Sequence, residues 1–118
     1  NEDTKNFIEE KELSAMKKSA IIVNTARGGI INEKLLITAL KNKEILGASL
    51  DVFESEPPNK NHPLFQLPNV LLSPHNAALT LECRKRMALE AAENIVSFIG
   101  DQKNLNKNNI INRTNLGL

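Results

Sequence analysis

A chain of 118 residues, 41% apolar and 25% charged, has the make-up of a globular domain or part of one, and by surface-to-volume scaling it buries about two-thirds of its surface. A net charge of +1, with four Phe, no Trp and no Tyr, points away from nucleic acid, because there is neither a basic face nor a stacking platform. No apolar run approaches the roughly 20 residues of a membrane span, and the single Cys83 fits a reducing, cytoplasmic setting without disulfides.

The amino end, Asn1-Glu2-Asp3-Thr4-Lys5, is polar, unlike a signal peptide, and lacks an initiating Met, so the chain is expected to be incomplete. Residues Asn1 to Lys18 are expected to hold a short helix, with Glu9-Glu10-Lys11-Glu12 in its first turn and Leu13 and Met16 on one face. Ala20-Ile21-Ile22-Val23 reads as a strand buried on both faces. It runs into Asn24-Thr25-Ala26-Arg27-Gly28-Gly29, a turn with an Arg and two glycines.

Asn32 caps an amphipathic helix over Glu33–Asn42, with Leu35, Leu36, Ala39 and Leu40 as its stripe. Gly47 to Phe53 reads as a second strand. Glu54 to Pro68 is a loop broken by four prolines. Asn69 to Ser73 is a third strand, stopped by Pro74. Thr80 then caps a long helix to Ile99, with Ala88, Ala91, Ala92, Ile95 and Ile99 as its stripe, and Gly100 ends it. In the Asn- and Lys-rich tail from Asp101, only Ile110-Ile111 offers a docking point.

Helix, strand, helix, strand, loop, strand, helix is the alternation of an α/β chain with a parallel sheet and flanking helices. Three strands are few for such a domain, since an edge is left unpaired, and a missing portion is expected. Right-handed crossovers put all three strand ends on one sheet edge, where α/β folds bind ligands.

Arg27, Asp51 and His75 each stand at or just past a strand end, with Glu54 and Glu56 close in chain to Asp51. An Arg, carboxylates and a His gathered there make a general acid–base site with an anion clamp. Arg holds a carboxylate by a planar fork. His carries a proton both ways near neutrality, and a neighbouring carboxylate fixes its tautomer. Asp51 also suits a plain strand-end cap, and His75 an incidental loop histidine. His62, in the proline-punctuated loop, reads as structural. Spacing alone does not separate Glu54 from Glu56. No metal set is present, because the two His are far apart and Cys83 lies on a helix. The G-x-S-x-G elbow of a serine hydrolase is missing too.

Asn24-Thr25-Ala26-Arg27-Gly28-Gly29, Leu50-Asp51-Val52-Phe53-Glu54-Ser55-Glu56-Pro57 and Leu72-Ser73-Pro74-His75, with His62-Pro63-Leu64-Phe65 and Leu67-Pro68-Asn69-Val70, closely resemble the D-isomer-specific 2-hydroxyacid dehydrogenases. The resemblance runs to about Gly100. It implies the carboxyl-terminal half of a Rossmann-type NAD-binding domain over residues 1–100, with helix 80–99 reaching toward a substrate domain and residues 101–118 as a tail. It implies hydride transfer between a nicotinamide cofactor, NAD or NADP, and a small 2-hydroxy or 2-keto acid of the glycerate, phosphoglycerate or lactate type.

Carried over residue by residue, Arg27 binds the substrate carboxylate, His75 exchanges the proton and Glu56 pairs with His75. Thr25, Ala26, Arg27, Asp51, His75 and Ala77 lie against the cofactor. A homodimer is implied for the full-length enzyme. Two departures stand out. The chain has no G-x-G-x-x-G phosphate fingerprint, and Asn76-Ala77-Ala78-Leu79-Thr80 replaces the glycine-rich turn of many members. The chain alone is therefore expected to be nearly inactive. Two non-enzymatic readings stand beside this one: a silent binding or structural remnant of such an enzyme, and a protein-binding α/β module.

Overall fold

The computed structural model describes residues 2–100, 106, 108 and 110–116 and divides into two compact units, residues 1–77 and 78–118. In the first unit, short apolar runs separated by an amphipathic helix and a long loop form parallel strands. These are β1 (Ile21–Asn24), β2 (Gly47–Leu50) and β3 (Val70–Leu72), in the spatial order β1-β2-β3.

The register sets Ile22 beside Ala48 and Val70, and Asn24 beside Leu50 and Leu72. Alternate residues point to opposite faces, so these six share one face of the sheet. The core gathers on it. Leu13 from α1 (Glu10–Ser14), Leu36, Ala39 and Leu40 from α2 (Glu33–Lys41), and Ile45 and Leu64 pack with Ala48 and Leu50.

The other face is bare in this unit: Ile21, Val23 and Leu71 are 61%, 62% and 71% exposed. The expectation that the first strand is buried on both faces is thus corrected. The buried apolar side chains of α1, α2 and the loop all belong to the one cluster, and a parallel sheet covered on one side leaves alternate residues in water.

The local signals act where the residues stand. Glu9 N–H donates to the Glu12 carboxylate at 3.1 Å at the start of α1, and Asn32 Oδ1 accepts from Leu35 N–H at 3.2 Å at the start of α2. The helix expected within residues 1–18 is only five residues long, because Ile8 pairs in extended form with Ile31 before it. The second strand stops at Leu50 rather than Phe53. Past it, the Phe53 N–H is taken by the Glu56 carboxylate at 3.0 Å instead of a neighbouring strand. The expected loop holds one 3-10 turn, Pro63–Gln66, opened by a proline whose missing N–H costs nothing there.

The second unit holds α3 (Leu81–Ile99), capped by Thr80, whose hydroxyl accepts from Cys83 N–H at 3.1 Å. Gly100 closes it by donating to Val96 O at 2.9 Å. Its described residues include no buried side chain. Residues 101–105, 107, 109 and 117–118 of the expected tail lie outside the described residues; Ile111 is exposed, and a 3-10 turn spans Arg113–Leu116. No helix among the described residues is long and apolar enough to cross a membrane.

Candidate active site

Because Asn24, Leu50 and Leu72 are register partners, the chain leaves all three strands along one edge. Asn24 shapes the first exit. Its side chain, 8% exposed as a residue, donates from Nδ2 to Arg27 O at 2.9 Å and accepts Ala26 N–H at 3.1 Å. That closes a tight side-chain turn over Thr25 and Ala26 and throws Arg27 out at the rim. The Arg27 guanidinium donates to Ala26 O at 2.6 Å. Gly28 follows because nothing larger fits: a Cβ there would stand 1.7 Å from Phe53 O. Gly29 has φ of 76°, the left-handed region that favours glycine.

Asp51 ends the second strand and is buried. Its Oδ1 accepts from the Ser73 hydroxyl and from Asn76 N–H at 3.0 Å, and its Oδ2 from Ala77 N–H at 2.8 Å. One carboxylate thereby ties the exit of β2 to the whole turn after β3. The Ser73 hydrogen bond above all, then that of Ala77, holds its carboxyl below the ordinary 3.8.

A carboxyl held low when folded contributes stability that is complete above its unfolded value. That contribution is lost as the pH falls through the folded one. The thermal midpoint of the chain is therefore expected to drop below about pH 4, and Asp51→Asn to make that drop shallower without abolishing it. Glu56 and Glu12 remain, and both are also held low. Parallel pH profiles for the two chains, from thermal melts between pH 6 and 2, would show that Asp51 anchors nothing.

The turn that Asp51 holds presents His75 with φ of 52°. A non-glycine residue there is strained by about 1 kcal/mol. The bonds to Ser73, Asn76 and Ala77 on either side keep it there. His75 Nδ1 meets Glu56 Oε2 at 2.7 Å, while Glu56 Oε1 accepts Phe53 N–H at 3.0 Å. The hydrogen bond to His75 is the main cause that holds the Glu56 carboxyl below its ordinary 4.5, and the Arg27 charge adds to it. An acceptor-only carboxylate at Nδ1 puts the proton of a neutral ring on that nitrogen and leaves Nε2 as the ring's acceptor.

The geometry therefore brings Glu56 and His75 into contact, with Arg27 in electrostatic reach of Glu56. The grouping is not one pocket. Glu56 and His75 line an apolar hollow of about 450 Å³ with Phe53, Phe65, Leu72 and Pro74. Arg27 lines another of about 420 Å³ with Lys5, Gly28, Gly29 and Glu54. Glu54 makes no ion pair with either histidine; its N–H donates to Glu33 Oε2 at 2.9 Å.

Three polar residues outside the expected site also build the edge: Asn24, Ser73 and Glu33. The usable signal was a polar residue closing an apolar run, which both Asn24 and Ser73 show. Glu33 had none, because an acid in a first helical turn ordinarily faces water.

Residues 1–77 match the family model "D-isomer specific 2-hydroxyacid dehydrogenase, NAD binding domain". A glyoxylate reductase of Aeropyrum pernix is 53% identical over 97 residues, covering 82% of this chain and 29% of the relative. A D-3-phosphoglycerate dehydrogenase of Methanocaldococcus jannaschii is 43% identical over 113 residues, covering 96% and 21%. Among solved structures, a glyoxylate reductase from Paecilomyes thermophila aligns with a TM-score of 0.79 at 40% identity, over 86% of this chain and 31% of that one. The chain thus spans less than a third of the length of these relatives. Three parallel strands with helices, the family model and the relatives agree: the chain belongs to the D-isomer specific 2-hydroxyacid dehydrogenases, as a Rossmann-type part of their NAD-binding domain.

Proposed function

We propose that this chain supplies the proton-transfer edge of an enzyme that interconverts a 2-keto acid and a D-2-hydroxy acid with NAD or NADP. The contact of Glu56 with His75 at 2.7 Å, beside Arg27 on the carboxyl edge of a parallel sheet, carries the reading. Glyoxylate, hydroxypyruvate and phosphorylated hydroxypyruvate are the substrates to try first, since glyoxylate reductases and a phosphoglycerate dehydrogenase are among the relatives. The resemblance also carries a homodimer for the full-length enzyme, with helix 80–99 reaching toward the substrate domain. The single Cys83 suits a reducing, cytoplasmic setting.

The residues fit the nicotinamide end of the cofactor. Asp51 accepts three hydrogen bonds, and a carboxylate has room for about four, which leaves one lone pair for a carboxamide N–H. The Thr25–Arg27 backbone, His75 and Ala77 complete the lining. When bound, the nicotinamide supplies or takes the hydride at C2 of the acid. Arg27 holds the substrate carboxylate in a two-point fork and offers positive charge as the oxygen at C2 becomes negative. His75 gives its Nε2 proton to that oxygen in reduction and takes it back in oxidation. Glu56 keeps the ring in place through Nδ1 and stabilises it while charged.

The test is an assay of 2-keto acid reduction with NADH and NADPH by the native protein carrying this chain, beside residues 1–118 alone. Turnover is expected from the first. Almost none is expected from the second, whose sequence has no phosphate fingerprint. A native protein inert toward every 2-keto acid tried would favour the silent-remnant reading instead. Robust reduction by residues 1–118 would overturn the expectation for the isolated chain.

A further inference from the structure

Glu33 opens α2, yet it is only 8% exposed as a residue. A buried carboxylate is strongly unfavourable unless its oxygens are paired. Both are, and both reach the loop between β2 and β3. Oε2 accepts Glu54 N–H at 2.9 Å, and Oε1 meets His62 Nε2 at 2.7 Å. His62 is fixed in turn from its other nitrogen, since Nδ1 accepts Leu64 N–H at 3.4 Å. Its ring packs edge-on against Phe53 and Phe65 with centroids 6.0 and 6.1 Å away. The two bonds of Glu33 therefore bracket residues 54–62, and Glu56 stands inside the bracket. Just before the first of them, Phe53 N–H holds Glu56 Oε1 and leaves Oε2 for His75.

We infer that the Glu33–His62 pair is a positioning latch, which fixes the loop so that Glu56 meets Nδ1 of His75. The inference rests on the proton-transfer reading above, because only there does the orientation of Glu56 matter. Glu33 touches neither the reacting atoms nor His75; it acts through the backbone at residues 53 and 54. A plain staple would also hold the loop down, but it would leave the His75 ring indifferent to its loss.

The chain has only two histidines, and the geometry assigns them opposite tautomers. Neutral His75 carries its proton on Nδ1, toward Glu56, whereas neutral His62 carries it on Nε2, toward Glu33, because its Nδ1 is an acceptor. Ring nitrogen shifts of the 15N-histidine-labelled chain in mildly alkaline solution read both at once. The parent is expected to show one ring of each kind. Glu33→Gln and, separately, His62→Gln are expected to lower the Nδ1–H population of His75 at least about halfway to its level in Glu56→Ala.

If His75 keeps the parent signature in both variants while their melting midpoints fall, the pair is a staple and the latch is overturned. Should Glu33→Gln fail to fold, His62→Gln decides alone, since it cuts the same contact from the loop side. Were Glu56→Ala itself, which removes the acceptor, to leave the His75 tautomer unchanged, the Glu56–His75 couple would fail, and with it the proton-transfer reading as well as the latch.

Discussion

His75→Gln is expected to lower kcat for 2-keto acid reduction in the native protein by about 10²- to 10⁴-fold, the usual span for loss of a general acid. Gln has a similar reach and still donates a hydrogen bond, but its amide does not give up a proton near neutrality. The ring is 47% exposed at the side chain and contributes little packing, so the fold should survive. KM should change much less than kcat, because the substrate carboxylate is assigned to Arg27. Steady-state kinetics beside a circular dichroism melt separate the two effects. A kcat within a few-fold of the parent would remove His75 from the chemistry.

Arg27→Gln is expected to lower kcat/KM by about 10³-fold or more, with both constants affected. The guanidinium is asked to do two things: to fork the carboxylate in the ground state, and to oppose the charge that builds on the reacting oxygen. Arg27→Lys should recover little, since a point charge cannot make the planar two-point contact. Among the described residues the exposed side chain bonds to Ala26 O alone, while the turn beneath it is held by Asn24, so the backbone should keep its path. Glu56 provides an internal check. Arg27 helps to hold its carboxyl low, and the Glu56 titration should therefore rise in Arg27→Gln. A kcat/KM unchanged in both variants would leave the edge without its anion clamp.

The order of elements and the polar residues at the strand ends were legible because they depend on neighbours in the chain. Isoleucines and valine in a row, Asn32 and Thr80 at helix starts, and prolines between Glu54 and Pro68 act over a few residues each. The burial of the first strand was not legible. An apolar run looks the same whether one or both of its faces are covered, and only the packing shows Ile22 inside and Ile21 and Val23 out. His62 reads as a loop residue, and it is one. That its ring reaches a buried Glu33 needs a path of 29 residues to close, which no local pattern announces.

The sequence by itself determined that this is an α/β chain of parallel strands, and which polar residues stand at the strand ends. Both follow from side-chain period and from where apolar runs stop. Only the tertiary structure decided what those residues do to one another. It set the Glu56 carboxylate 2.7 Å from His75 Nδ1, 19 residues away in the chain, a pairing that spacing alone leaves open. It also made Asp51 the anchor of a turn 22 to 26 residues downstream. Such pairings arise when parallel strands align their exits, because register and burial bring together carboxylates and donors that the chain keeps apart.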